Sequence, residues 1–292
     1  MSAGKFVVAR TKDAIRAWRA SVGAASVGFV PTMGALHSGH MSLVQRARRE
    51  NQRTVMSIYV NPTQFGPTED LAKYPRTEAA DLALAEQHGA DSVFIPSGSL
   101  YEADSAVRVV WKGIESVLRE AEARPGHFEG VMTVCAKLFN LVQPTRVYVG
   151  AKDAAQCIVL TRMVRELDMP LELIVCDTMR ESDGLAMSSR NRYLSADDRR
   201  RSTVISRALF AGQALVAADA RATLGALDDI VRKTLATEPA LSIEYVSLAD
   251  LATGAELRDR NLPISSVKQV LLSFAGKIGT TRLIDNVVLR SP

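Results

Sequence analysis

Cysteine is scarce in this chain: 292 residues carry three, Cys135, Cys157 and Cys176, each inside an apolar stretch. An odd, widely spaced set offers neither a disulfide framework nor a zinc pattern, and predicts core thiols. Aromatic residues make up only 5%. Few of them lie beside the basic runs "QRARRENQR" and "SADDRRRS", so no platform for stacking bases is evident. The formal net charge is +4, but the positive residues are interleaved with Asp and Glu. That pattern reads as solvated helix faces rather than a nucleic-acid stripe, and it suits a small anionic substrate equally well. No apolar run reaches the ~18 residues of a membrane span. The N-terminus lacks the basic, apolar and small-residue succession of a secretory leader, so the expectation is no membrane association and a cytoplasmic location.

What is present is an apolar content of 47% against 23% charged residues, enough for a sizeable core under a solvated surface. The length favours two domains. Short apolar segments alternate with helical patterns from the N-terminus to Cys176. A helix in "TKDAIRAWRA" precedes the strand "SVGFVP", and a helix from about His40 to Glu50 precedes a strand from Thr54 to Val60. A helix from about Glu78 to His88 then leads to the strand "DSVFIP". After a less regular stretch, Tyr101 to Pro125, expected to cover the sheet edge, come a helix near Gly130 to Leu141, the strand "RVYVG", a helix from about Asp153 to Leu167, and the strand "LELIVC". Uniformly apolar strands alternating with helices predict an α/β fold, a doubly wound parallel (Rossmann-like) sheet covered on both faces.

Beyond Cys176 the texture changes. A polar stretch, "DTMRESDGLAMSSRNRYLS", is followed by amphipathic helices at about Ala196 to Ala217 and Leu224 to Ala236, then three short strands in "SIEYVSL", "QVLLSF" and "TRLIDNVVL". We expect residues 1–178 to form the larger domain and 179–292 a second, smaller α+β C-terminal domain.

Two of the chain's four histidines fall in "FVPTMGALHSGH", where a strand runs into a helix start. Unpaired N–H groups and the helix dipole favour anions at such a junction. Gly34 and Gly39 let backbone approach a ligand closely, and His37 and His40, three apart, share one face if they begin the helix. Two imidazoles can then donate to one phosphate. Either histidine alone would pass for a polar loop residue, but the joint pattern is more specific.

This stretch resembles the HIGH signature of the nucleotidylyltransferase superfamily. With "VNPTQFGPTEDLAKYPRT", "RPGHFEGVMTVCAKLFNLVQP", "VYVGAKDAAQ" and "RESDGLAMSSRNRYLS" following in order, the chain is similar to the pantothenate synthetase (pantoate–β-alanine ligase) family from about Phe29 to Ser195. The resemblance implies an ATP-dependent ligase. Pantoate attacks the α-phosphate of ATP to give pantoyl adenylate and pyrophosphate, and the amine of β-alanine then displaces AMP. Charge builds on phosphate oxygens in the first step, so positioned donors and cations matter most.

The resemblance further assigns residues. The ATP site would comprise Pro31, Thr32, Met33, Gly34, His37, Gly39, His40, Gly150, Lys152, Asp153, Met187, Ser188, Ser189 and Arg190. Within it His37, His40, Lys152, Ser188, Ser189 and Arg190 would act on the reacting phosphates. Lys152 is a compact charge suited to phosphate, and Asp153 would either cap the next helix or touch ribose. "MSSRN" would serve as the mobile phosphate loop, although taken alone it also reads as a linker that caps a helix. Pantoate would be held by Asn61, Gln64 and Gln156, with Met33 and Phe65 as the apolar wall. Arg124 and His127 match a segment near the active site without a distinct role. Mg2+ would bridge ATP oxygens, with Asp81 the best-matched carboxylate and a solvated helix-face Asp the alternative. A homodimer is also implied.

The chain departs from the family pattern at Ser38, Ala151, Ala154 and Ala155, and "YPRTEAAD" keeps only Asp81 of an acidic pair. These changes bear on metal placement and affinity more than on reaction class. Two enzymatic alternatives share the core: another nucleotidylyltransferase, and a class I tRNA synthetase, which the short C-terminal region disfavours. A nucleotide-binding relative without catalysis is the non-enzymatic alternative, disfavoured by retention of the whole phosphate-facing set.

Overall fold

A computed structural model describes residues 6–67, 69–114, 117–219 and 221–290. They fall into two compact units. The first takes its residues from Met1–Lys112, Pro125–Gly150 and Val159–Asp177, the second from Gly113–Arg124, Ala151–Ile158 and Thr178–Pro292. The transition after residue 177 is thus accompanied by two earlier segments, 113–124 and 151–158, that group with the C-terminal residues.

In chain order the elements up to Cys176 are β1 (Val7–Ala9), α1 (Lys12–Ser21), β2 (Val27–Thr32), α2 (Ser38–Glu50), β3 (Arg53–Ile58), α3 (Glu78–Gln87), β4 (Ser92–Phe94), α4 (Arg119–Ala123), α5 (His127–Val142), β5 (Arg146–Gly150), α6 (Ala154–Glu166) and β6 (Glu172–Cys176). The six strands form one parallel sheet in the order β1-β4-β3-β2-β5-β6. The chain steps outward from β2 through β3 to β4, then returns and steps the other way from β5 to β6. Right-handed crossovers therefore put α2 and α3 on one face and α6 on the other. Packing agrees: Val30, Val44, Ala47, Met56 and Ala85 share one core, while Phe29, one residue along β2, meets Phe139 of α5 edge-on. The reversal between β2 and β5 is the topological switch point at which such sheets receive ligands.

The α/β reading of the sequence holds here. The three-residue β1 is too short for any period to show. Of the irregular stretch, residues 115 and 116 lie outside the described residues, and Val109 N donates to Thr133 Oγ1 of α5 at 3.0 Å. All three cysteines are buried, as core thiols should be, and burial pushes Cys135 up to about 12.

The second unit adds α7 (Ala196–Arg201), α8 (Thr203–Ala218), α9 (Leu224–Leu235) and an antiparallel sheet of β7 (Leu241–Asp250), β8 (Gln269–Ile278) and β9 (Thr281–Arg290) in that order. Leu209, Leu224, Leu227 and Val231 pack on Leu272 and Phe274. Where one helix was expected from 196 to 217, there are two. Buried Ser202 donates both its N–H and its hydroxyl to the Asp198 carbonyl, at 2.9 and 2.7 Å, a back-bond that bends helices. β7 and β8 run to ten residues each, longer than their apolar cores, because only one face needs to be apolar.

Candidate active site

In the first unit the loop from β2 to α2 is built on backbone that ordinary residues avoid. Gly34 has φ +83° and Ala35 φ +51°. A Cβ on Gly34 would lie 2.9 Å from Ile58 Cγ2 and 3.0 Å from Asp81 Oδ2, so both conformation and space require glycine. Thr32 Oγ1 donates to the Ser57 carbonyl and accepts from Gly34 N. The left-handed turn aims the next two N–H groups at one carboxylate. Ala35 N donates to Asp81 Oδ2 at 2.9 Å and Leu36 N to Oδ1 at 2.8 Å, with the Thr77 hydroxyl donating to Oδ1 at 3.0 Å.

His37 then enters α2 in extended conformation, and its carbonyl accepts from His40 N and Met41 N. The His37 and His40 rings stack with centroids 4.1 Å apart, tilted by 47°. Both are half-buried. Two imidazoles thus sit together at a helix N-terminus, where N–H groups and the dipole favour an anion. Pro31 pairs with Ser57 one residue before β2 ends at Thr32, and the Gly39 carbonyl accepts from the Ser42 hydroxyl.

A second group lies past the end of β3. Asn61 is 1% exposed and holds the short turn Pro62–Gln64 by donating Nδ2 to Gln64 Oε1 and to the Gly130 carbonyl, each at 3.1 Å. Gln64 Nε2 donates to Met33 Sδ at 3.2 Å. His127 Nδ1 lies 2.7 Å from the Gln64 carbonyl, so the backbone and the amide of Gln64 are held from two sides. The Phe65 ring meets Tyr74 edge-on at 5.9 Å. Met33, Asn61, Gln64 and Phe65, picked from the sequence for an acid substrate, therefore belong to this unit, and Asn61, Gln64 and Met33 are linked by direct contacts.

In the second unit Lys152, Asp153, Ser188 and Arg190 line one pocket, together with Arg124, Asn191, Arg282 and Asp285. "RESDGLAM" forms a hairpin bridged at Arg180 and Ala186, with Met187 N donating to the Met179 carbonyl. Ser188 then caps the turn Ser189–Tyr193 by accepting from Arg190 N, and Ser189 is buried within it. The Lys152 turn is tied down by Asn286, whose Nδ2 donates to the Ala151 and Lys152 carbonyls at 2.9 and 2.8 Å. Arg180 grips Asp285 with both guanidinium nitrogens. Arg124, Lys152, Arg190 and Arg282 stand here against Asp153 and Asp285, a donor set whose chemistry suits an anion with several oxygens.

Behind the pocket Glu120 is 6% exposed and accepts from both terminal nitrogens of Arg282 at 2.9 and 2.8 Å and from the Tyr245 hydroxyl at 2.8 Å. Arg124 approaches at 3.5 Å. Burial alone would raise the Glu120 carboxyl, but the Arg282 hydrogen bonds and charge, with Arg124 and Tyr245, bring it below its ordinary value. Arg282 is raised.

Gln156 lies half-buried in the first turn of α6, and Gly150 ends β5 opposite Cys176. Asp81, the carboxylate considered for a metal, is 2% exposed and has both oxygens engaged by the loop. Among the described residues no three His, Cys, Asp or Glu side chains converge on a point, and no helix is long and apolar enough to cross a membrane. Sequence reasoning did not find Thr63, Tyr101, Gly130, Glu120, Arg282 or Asn286. Only Asn286 left a trace: with Asp285 it puts two polar residues side by side in the apolar run "LIDNVVL".

Comparison with known proteins gives one answer. The pantoate-beta-alanine ligase family model matches residues 7–288. The pantothenate synthetase of Herpetosiphon aurantiacus is 49% identical over 268 residues, covering 91% of this chain and 94% of its own length. That of Roseiflexus castenholzii is 48% identical over 97% of this chain and 99% of its own. Among solved structures, pantothenate synthetase from Thermus thermophilus superposes with TM-score 0.88 at 40% identity, covering 96% of this chain and 98% of that one. Pantoate-beta-alanine ligase from Francisella tularensis, complexed with beta-gamma ATP and beta-alanine, superposes with TM-score 0.76 at 30% identity over 97% of each chain.

Proposed function

This chain belongs to the pantoate-beta-alanine ligase family, and we propose that it works as an ATP-dependent enzyme that joins pantoate to β-alanine through a pantoyl adenylate. In the first half-reaction a pantoate carboxylate oxygen attacks the α-phosphorus and the bond to the bridging oxygen of pyrophosphate breaks. In the second, the β-alanine nitrogen attacks the activated acyl carbon, loses a proton, and AMP leaves. Neither step needs a protein nucleophile, so the protein's contribution is orientation and charge.

His37 and His40 donate to phosphate oxygens at the α2 N-terminus, in the loop formed by Pro31, Thr32, Met33 and Gly34. Lys152 and Arg190 neutralise the departing pyrophosphate and the Ser188 and Ser189 hydroxyls donate to it, with Arg124 and Arg282, shared with Glu120, in the same pocket wall. Asn61, Gln64 and Gln156 receive pantoate, and Met33 and Phe65 line its apolar side. The carrying observation is the pocket of the second unit, where motifs distant in sequence, "GAKD" and "MSSRN", converge as Lys152, Ser188 and Arg190. In domain terms, residues 1–178 would bind pantoate and the nucleotide, and 179–292 would supply the phosphate loop.

Mg2+ enters this reading as ATP's own counter-ion. It needs few protein ligands because it keeps its waters, and with the Asp81 oxygens engaged no resident cage for it is built among the described residues. The family likeness further suggests a homodimer, which sedimentation as monomer alone would refute. The buried reduced thiols fit a cytoplasmic setting, which recovery only from an exported fraction would refute.

The deciding experiment follows pyrophosphate exchange into ATP with pantoate alone, and AMP release with and without β-alanine. We expect pantoate-dependent exchange and β-alanine-dependent AMP release. Exchange driven by some other acid, or ATP binding with neither activity, would overturn the assignment in favour of a different transferase or a silent binding protein.

A further inference from the structure

One hydrogen-bonding group near Gln64 has a fixed polarity: the Gly130 carbonyl in α5 can only accept. Asn61, 3.1 Å away, must therefore turn its Nδ2 toward that carbonyl. Its Oδ1 then faces the Thr63 hydroxyl and the Tyr101 hydroxyl, each at 3.0 Å. The two hydroxyls are also 3.0 Å apart, and at least one of them serves Asn61 as donor. The second Nδ2 proton goes to Gln64 Oε1 at 3.1 Å. That makes Oε1 the end of the Gln64 amide facing Asn61, and Nε2 the end facing Met33 Sδ at 3.2 Å.

A thioether is a weak acceptor, so a substrate carboxylate or hydroxyl oxygen would readily take its place. Asn61 is nearly fully buried, which denies it water as an alternative partner. Burial pushes the Tyr101 phenol up, so its proton stays on through the neutral range. The ring is held by Arg108 at 5.5 Å and Lys137 at 5.3 Å from its centroid.

We infer that Tyr101 and Thr63 are positioning residues which, acting through Asn61, hold the Gln64 amide with its NH2 end turned toward the oxygens of the acid substrate. The inference rests on the reading of Gln64 as a pantoate ligand. Donor polarity at this point selects an anionic or hydroxyl oxygen over an ammonium, and so helps to decide which substrate enters.

The test compares Tyr101→Phe, Thr63→Val, the double variant and Gln64→Ala, with KM measured separately for pantoate and for ATP and thermal unfolding as a check on folding. Gln64→Ala should raise the pantoate KM selectively. The double variant should raise it about 10-fold and leave the ATP KM within about twofold, since a side-chain hydrogen bond is worth about 2- to 10-fold. The single Tyr101→Phe, which keeps the ring in place, should raise it about threefold, and it carries the test if the double variant does not fold. Selective loss in Gln64→Ala with no selective loss in the hydroxyl variants would overturn the positioning role alone. Equal losses for both substrates in Gln64→Ala would overturn the pocket reading and the positioning role with it.

Discussion

Asp81 illustrates how a side chain's neighbours decide its work. Its carboxylate accepts from two consecutive backbone N–H groups and a hydroxyl, and so holds the left-handed turn that presents the histidines. An amide in its place could accept at one end only, and its NH2 would face a backbone N–H. We expect Asp81→Asn to cost about 2 kcal/mol in urea unfolding, the scale of a buried donor left unsatisfied. At saturating ATP the Mg2+ concentration for half-maximal activity should stay within about twofold. A large rise in Mg2+ requirement without loss of stability would return Asp81 to the metal. The sequence carried the histidine pair because their relation is local, three residues apart across the start of α2. It carried Asp81 only as a residue type, because its partners at Ala35 and Leu36 lie more than a helix and a strand away in the chain. Tyr101, a lone aromatic in a loop, left no signal at all.

α5 shows the same dependence for an element. Its apolar spacing was readable, but not the reason that Gly130 stands within it. A Cβ there would meet the Thr63 carbonyl oxygen at 2.4 Å and Gln64 N at 2.7 Å, so the helix touches the Pro62–Gln64 turn backbone to backbone. Helix propensity favours Gly130→Ala by about 1 kcal/mol, whereas forcing atoms into a packed contact costs about 1–3 kcal/mol. We expect the contact to win, with a net loss of about 1 kcal/mol in thermal or urea unfolding and a raised pantoate KM as the turn shifts. A stabilised variant with unchanged pantoate KM would mean that the close approach relaxes freely. The break between α7 and α8 has a comparable cause: the periodicity runs through Ser202, and only its burial and back-bond to Asp198 explain the interruption.

At the scale of the whole molecule, the second unit is assembled from segments far apart in sequence, and its charge cluster joins them. Glu120 stands in the segment Gly113–Arg124 and Arg282 on β9, so the apolar periodicity that revealed the two layers could not reveal what ties this segment to the sheet. The folded Glu120 carboxyl lies below its ordinary value of 4.5, while in the unfolded chain it would titrate near that value. A depressed pKa means that the unfolded state binds the proton more readily. The stabilisation is therefore complete above about pH 4.5 and is lost as pH falls from there through the folded pKa. Glu120→Gln removes the titrating group and leaves Arg124 and Arg282 without their shared carboxylate, although Glu244 still accepts from Arg282 at 2.7 Å. Losing one partner of a buried pair should cost about 3 kcal/mol at pH 7. Urea unfolding followed by circular dichroism from pH 7 down to pH 3 should show the wild type falling steeply below pH 4.5 and the variant starting lower with a shallower slope. If the two curves ran parallel at equal stability, the cluster would be dispensable to the fold, and packing of α4 against β7 would have to hold the segment instead.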